Sequence, residues 1–353
     1  MKFEQGRALI IGVANYEAVS PLPNAVLNDA HDTADVLKAS AFCGYPDEHV
    51  TVLTDKQATL DCIRKALSDL ATKAKGDDTI AIFFSGHGAR LGRGPAVTSA
   101  LIPYDCKPSD LAGTTLGEAE LSSALAAIKA ARLLFIVDAC HAGGAATLKS
   151  QTNGDFLDGF SEKSLQQLAT GTGRVVLASS RATETSIVLR GARNSVFTTA
   201  MLDGLKGAAL VGTDSTIKVF DLFNYVSEAV RKAVPGRQHP IFKASELEEN
   251  FPVALALGGA KAPGPSAASG NRYRDLEQIL PDLFPAGPTD LDIWLRAGGD
   301  VSRLKLAGNG GAQWFAALRT LSQGGGGADI TRQTLIAAAL EEFPHHDELQ
   351  RLQ

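Results

Sequence analysis

A three-layer α/β domain with a mostly parallel sheet covered by helices, followed by a small all-helical domain, is the fold class this sequence predicts. Five short runs rich in Val, Ile, Leu and Phe are apolar on both faces, as strands buried between two helical layers must be. Longer stretches with helical periodicity separate them, and strands that alternate with helices imply crossover connections and parallel pairing. A segment of Gly, Pro, Ala and Ser without apolar periodicity, GGAKAPGPSAASG at 258–270, then divides the chain.

In chain order, RALIIGVANY reads as the first strand and NAVLNDAHDTADVLKAS as the helix that crosses from it. HVTVLTD and DTIAIFFSG are the next strands, with ATLDCIRKALSDLATKA between them as an amphipathic helix. GEAELSSALAAIKAA leads into ARLLFIVDA, and GRVVLASS is the fifth strand. NSVFTTAMLDGLKGAA and KVFDLFNYVSEAVRKAV are two further helical patterns, and RQHPIFKAS and FPVALALG supply final edge strands. Beyond the linker no strand is visible, whereas AQWFAALRTLSQ and TRQTLIAAALEEF are amphipathic and separated by Gly and Pro breaks. The expected organisation is therefore 1–257 for the α/β domain, 258–270 for the linker and 271–353 for the helical domain.

Composition narrows the function. Hydrophobic residues at 44%, charged residues at 21% and a net charge of −5 describe an ordinary globular protein with no general attraction to nucleic acid or an anionic membrane. The opening MKFEQGRALIIGV has too short an apolar run for a signal peptide, and no window approaches the roughly 18 apolar residues of a membrane span, so a cytoplasmic location is expected. Cys43, Cys62, Cys106 and Cys140 are widely spaced and form no C-x-x-C pair, which argues against a zinc site, a redox motif or a disulfide framework. Cys43, Cys62 and Cys106 read as structural thiols.

Cys140 stands in a different context. In open α/β sheets ligands bind beyond the carboxyl ends of the strands. Two strand ends there carry chemistry: Ser85, Gly86, His87 and Gly88 follow one apolar run, and Asp138, Cys140 and His141 follow another. If those strands are neighbours, His87 and Cys140 face each other as an acid/base group and a nucleophile, the pairing that acyl transfer uses. Glycine at 88 allows close backbone approach, so the Gly88 and Cys140 N–H groups are candidates for an oxyanion hole. A glycine-rich turn with a hydrogen-bonded histidine is the plainer reading of either motif alone. Papain-like enzymes place cysteine first, but here the histidine precedes it by 53 residues.

SGHG and DACHAGG, together with ALIIGVANY, NAVLNDAHDTADVL, VLASSRATETS and SVFTTAMLDGLKG in that order, resemble the caspase-like peptidases, and within them the metacaspases and their bacterial relatives. The resemblance covers about residues 7 to 257. It implies a caspase-like fold, a catalytic dyad of His87 and Cys140, and an oxyanion-hole role for Gly88. Caspases proper carry QACxG and bind aspartate with arginines, whereas DACHAGG is the metacaspase form, whose specificity pocket is acidic. Asp138, Asp29 and Ser85 look like its residues, and the implied substrate is a protein with Arg or Lys before the scissile bond. Each also has a plainer reading: a helix surface for Asp29, a turn cap for Asp138, a backbone contact for Ser85.

Many metacaspases require calcium. This chain keeps Asp105 and Asp110 but has Gly117 and Glu118 where adjacent aspartates are common, and the hard-cation ligand set does not assemble from that stretch. No cofactor and no metal residue are therefore expected. Related enzymes are often cut between the nucleophile and the next strand, where Lys149, Lys163 and Arg174 are candidate self-cleavage positions. The C-terminal segment resembles the helical effector-associated domains fused to bacterial peptidases, which implies a partner protein carrying a similar domain and a place in bacterial defence or signalling. With eight Lys and Arg against eleven Asp and Glu, that segment is no phosphate-binding surface. The rival reading is a catalytically silent caspase-fold scaffold or adaptor. A nucleotide-binding domain is disfavoured, since no phosphate-loop motif is present.

Overall fold

The computed structural model describes residues 2–92, 97–139, 156–211, 215–245, 247, 249–255, 273–304, 306, 308–322, 325–327 and 329–352. Two compact units divide the chain, Met1–Ala262 and Pro263–Gln353.

The first unit is built on a six-stranded main sheet. β1 (Gly6–Gly12), β2 (Val50–Thr54) and β3 (Thr79–Ser85) are joined by α1 (Ala25–Lys38) and α2 (Leu60–Lys73). β4 (Gly88–Leu91), β5 (Thr98–Leu101) and β6 (Leu116–Gly117) follow, then α3 (Leu111–Thr114, just before β6) and α4 (Glu118–Ala127). Next come β7 (Arg132–Asp138), β8 (Phe156–Asp158), α5 (Glu162–Leu168) and β9 (Arg174–Ala178). α6 (Val196–Asp203), β10 (Thr216–Lys218), α7 (Val219–Ala233), β11 (Ile241–Ser245) and β12 (Pro252–Leu255) complete it. The main sheet has the order β11-β9-β7-β3-β1-β2, parallel except for β11, which pairs antiparallel with β9. Strand order reverses at β1, so the carboxyl ends of β1 and β3 border the crevice where such sheets bind ligands.

Side-chain alternation sends each strand to two cores. Ile10, Phe83, Leu134, Ile136 and Leu177 pack with α1, α6 and α7. Ile11, Phe84, Phe135, Val137 and Val176 pack with α2, α4 and α5. This is why the runs of β1, β3, β7 and β9 lack any polar alternation, whereas β2, expected to be buried on both faces, lies at the sheet edge, partly buried and with Thr51 exposed.

RQHPIFKAS does form the sheet edge as β11, but FPVALALG does not join that sheet. Its β12 pairs with β10 in a separate two-stranded ladder, held by the Tyr45 hydroxyl donating to the Val253 carbonyl at 2.5 Å. An apolar run states that a strand is buried, not which neighbour it finds. The antiparallel sheet β6-β5-β4-β8 was not expected either, because its strands are two to four residues long and give no periodic signal.

Arg174 is corrected as a self-cleavage position. It opens β9 inside the sheet, and its buried guanidinium donates to the Ala130 carbonyl at 3.0 Å and the Ile128 carbonyl at 2.5 Å. Lys163 is exposed but lies within α5, and Lys149 falls outside the described residues.

The second unit contains α8 (Arg274–Leu283), α9 (Ile293–Arg296), α10 (Gly310–Ser322), α11 (Arg332–Glu342) and α12 (Asp347–Arg351), with no strand among its described residues. Trp294 and Trp314 are fully buried at its centre, and their indole N–H groups donate to the Gly326 and Phe284 carbonyls at 3.0 and 2.9 Å. A buried indole needs such a partner. Among the described residues no helix is long and apolar enough to cross a membrane.

Candidate active site

β3 and β7 are paired in register, Ser85 opposite Asp138. The two chains stay side by side beyond the strands, for the Gly86 N–H donates to the Asp138 carbonyl at 3.2 Å and the Gly88 N–H to the Ala139 carbonyl at 3.1 Å. A Cβ on Gly88 would lie 2.7 Å from the Ala139 carbonyl oxygen, and one on Gly86 would lie 2.8 Å from the Tyr16 hydroxyl, so both glycines serve close approach. Ala139 is the last described residue before Cys140, which lies outside the described residues.

His87 is almost fully buried. Its backbone N–H donates to the Tyr16 hydroxyl at 2.6 Å, and the Tyr16 ring lies 4.9 Å from the imidazole, centroid to centroid. Nε2 is 3.0 Å from the Ser20 carbonyl oxygen. A carbonyl only accepts, so Nε2 carries the proton, and in the neutral ring Nδ1 holds the lone pair. Tyr16 and Ser20 thus fix the ring's plane and tautomer. Burial holds the Tyr16 phenol well above its ordinary range, so it remains a neutral donor and acceptor.

Asp29 lies on α1. The buried residues of that helix, Ala25, Val26, Asp29, Ala30, Thr33, Ala34, Val36 and Leu37, form one stripe facing the sheet, and Asp29 is a carboxylate within it. Asp138 ends β7 and, by alternation from Leu134 and Ile136, faces the same layer. Both are fully buried, as is Ser85. Ser195, the N-cap of α6, joins the two acids: its N–H donates to Asp29 Oδ1 at 3.0 Å, its hydroxyl donates to Asp138 Oδ2 at 2.7 Å, and the same hydroxyl accepts from the Thr198 N–H at 2.9 Å. Thr198 Oγ1 lies 3.4 Å from Asp138 Oδ2. Arg193, ion-paired to Asp32 at 2.6 Å, ties this segment to α1 and lowers the Asp32 pKa. Asp29 Oδ2, Asp138 Oδ1 and Ser85 Oγ have no hydrogen-bond partner among the described residues.

An acid so enclosed resists ionisation. Burial, with the Asp138 charge added, raises the Asp29 carboxyl from 3.8 to about 8, against the opposing hydrogen bonds from Ser195 and Asn194. The folded protein therefore holds this proton more tightly than the unfolded chain. The resulting stabilisation is complete below pH 3.8 and is lost as pH rises through 8. The melting temperature of the native sequence should fall more steeply between pH 5 and 8 than that of Asp29→Asn. Parallel curves would remove Asp29 as the source.

Ser85, His87, Gly88, Asp29 and Asp138 therefore gather at one sheet end. In this conformation the Gly88 N–H is engaged by the Ala139 carbonyl. Ser195, Tyr16 and Ser20 were not foreseen, although Asn-Ser before an apolar run is a visible N-cap signal. The acids between β5 and the start of α4 are engaged within the fold. Asp105 Oδ1 accepts from the Leu60 N–H at 2.9 Å, Asp110 caps α3, and Glu118 is half spent on the Ser99 N–H and the Ser164 hydroxyl. Among the described residues no three His, Cys, Asp or Glu side chains are grouped to hold a metal. Cys43 and Cys106 are buried and their thiols pushed upward, Cys106 to about 11, which keeps them protonated. Clefts of about 230 Å³ beside β2 and α2 and about 500 Å³ between α2 and α4 include none of these residues.

Residues 5–252 match the family described as Caspase domain, and residues 266–353 match Effector-associated domain 1. Metacaspase-7 of Arabidopsis thaliana is 30% identical over 153 residues, covering 39% of this chain and 35% of the relative. Metacaspase-4 of the same plant is 28% identical over 153 residues, covering 39% and 34%. The match thus spans about a third of the length of these relatives. A solved structure, protein GSU0716 from Geobacter sulfurreducens, aligns with a TM-score of 0.49 at 20% identity, over 71% of this chain and 98% of its own. With residues 5–252 matched, the chain belongs to the caspase-domain family and carries an effector-associated domain over residues 266–353.

Proposed function

We propose that this protein is a cysteine endopeptidase that cleaves protein substrates after Arg or Lys, with Cys140 as nucleophile and His87 as acid/base. The observation that carries this reading is the buried pair Asp29 and Asp138, each with one carboxylate oxygen unpartnered among the described residues, beside the end of β7, which is paired in register with the β3 end that leads to His87. Uncompensated buried carboxylates are costly unless a cation enters between them. Chain connectivity supports the dyad: the carbonyl of Ala139, the residue before Cys140, accepts from the N–H of Gly88, the residue after His87.

The thiolate attacks the carbonyl carbon of the scissile peptide, and the imidazolium gives its Nδ1 proton to the leaving amine. His87 then takes a proton from water, whose oxygen attacks the thioester and releases the acid. The Cys140 N–H serves the oxyanion, and the Gly88 N–H joins it by exchanging its bond from the Ala139 carbonyl. The effector-associated domain recruits a partner protein with a similar helical domain, and the enzyme works in the cytoplasm in defence or signalling.

The test is a panel of peptides identical except for Arg, Lys, Asp or Ala before the scissile bond. Arg should be cleaved best and Lys second, because a guanidinium offers directional donors to two carboxylates and an ammonium a point charge. Asp and Ala peptides should survive. Efficient cleavage after Asp would refute the acidic pocket.

A further inference from the structure

Five buried side-chain oxygens lack a hydrogen-bond partner among the described residues: Asp29 Oδ2, Asp138 Oδ1, Ser85 Oγ, Ser179 Oγ and Ser186 Oγ. Buried polar atoms are otherwise almost always satisfied, so orphans that cluster point to a ligand rather than to chance. The last two have no part in the site described above, and the fold brings them to it.

Ser179 directly follows β9. Val137 is in register with Ala178, and the Ser179 N–H donates to the Val137 carbonyl at 2.9 Å, which sets Ser179 beside Asp138. Val175 and Leu177 face the α1 and α6 layer, so by strand alternation Ser179 does too, as do Ser85 and Asp138. Ser186 is held from both sides through its neighbour Ile187. The Ile187 N–H donates to Gln238 Oε1 at 3.1 Å, while Gln238 Nε2 donates to the Ser179 carbonyl at 3.0 Å. The Ile187 carbonyl accepts from the N–H of Val196, the residue after Ser195, at 2.9 Å. Gln238 is fully buried, so this clamp is rigid. Ser186 is thereby fixed between Ser179 and the Ser195 turn that holds both acids.

We infer that Ser179 and Ser186 are further specificity-determining residues, whose hydroxyl oxygens accept the guanidinium N–H donors that Asp29 and Asp138 leave over, so that the pocket is built for arginine rather than lysine. The inference rests on the basic-residue specificity proposed above. The chemistry is a matter of number: a guanidinium presents five N–H donors and no acceptor, an ammonium three. Five unpartnered oxygens suit the first and leave buried acceptors unmet by the second.

The full-length protein is tested as Ser179→Ala, Ser186→Ala and the double variant, with paired Arg and Lys peptides. Because the deleted hydroxyls had no partner, the fold should not suffer. A hydrogen bond to a charged group is lost at each site, so kcat/KM for the Arg peptide should fall roughly tenfold or more per serine, while the Lys value changes by less than about threefold. Ser179→Thr and Ser186→Thr, which keep the hydroxyl, should restore the Arg preference. An independent reading uses the melting temperature of the native protein, which ethylguanidinium should raise more than propylammonium. An Arg-to-Lys ratio unchanged in the double alanine variant, or equal stabilisation by the two cations, overturns the assignment of the serines while leaving the acidic pocket intact. No cleavage after either basic residue together with no stabilisation by either cation overturns both.

Discussion

Replacement of Cys140 by Ala, or of His87 by Ala, should abolish peptidase activity, lowering kcat/KM on the order of 10⁴-fold, and the double replacement should be no worse than either alone. Nucleophile and acid/base act on one reaction coordinate, so losing one removes the benefit of the other. His87 has the setting this role requires: Nε2 is occupied by the Ser20 carbonyl and the ring is braced by Tyr16, which leaves Nδ1 as the basic nitrogen. Joint substitution of Cys43, Cys62 and Cys106 should leave turnover largely intact, since the first and last are buried thiols held protonated. The same experiment separates enzyme from scaffold. A scaffold would retain its biological effect in the Cys140→Ala protein, and a Cys140→Ala protein that still cleaved peptides would remove the assignment altogether.

What the sequence made legible follows from how local each signal is. β1, β3, β7 and β9 are buried on both faces, so each writes its own apolar run, whereas β2 at the sheet edge is only partly buried; the helices between them write a stripe every three or four residues. Pairing partners are non-local, which is why β12 was expected at the sheet edge and found against β10. The two members of the proposed dyad stand out in the sequence because SGHG and DACHAGG each concentrate unusual residues in a few positions. Asp29 left a fainter trace, an acid inside the apolar stripe of α1. Ser195 could be recognised as a helix cap, but a cap looks the same whether or not two carboxylates lie across from it. The Ser20 carbonyl left no trace at all, since every residue has one.

Asp138→Asn should weaken cleavage after Arg by about 2 to 5 kcal/mol of transition-state stabilisation, roughly 30-fold to several thousand-fold in kcat/KM, and yet should not lower the melting temperature. The two effects separate because the acids serve the substrate at the expense of the fold. In the free protein Asp138 Oδ1 and Asp29 Oδ2 are buried without partners among the described residues, and burial, with the charge of Asp138 added, raises Asp29 to about 8. An amide at 138 removes that repulsion while its oxygen still accepts from the Ser195 and Thr198 hydroxyls, so the folded state gains or stays level. An arginine side chain entering the native pocket instead favours the ionised form of Asp29, which releases its proton to solvent as the guanidinium binds. In the variant it meets an amide N–H where it needs an acceptor. Alkylation of Cys140 should proceed in Asp138→Asn as in the native protein, which would localise the defect to substrate recognition two residues from the nucleophile. A clear fall in melting temperature would instead make Asp138 a structural acid, and unchanged cleavage after Arg would take it out of the pocket.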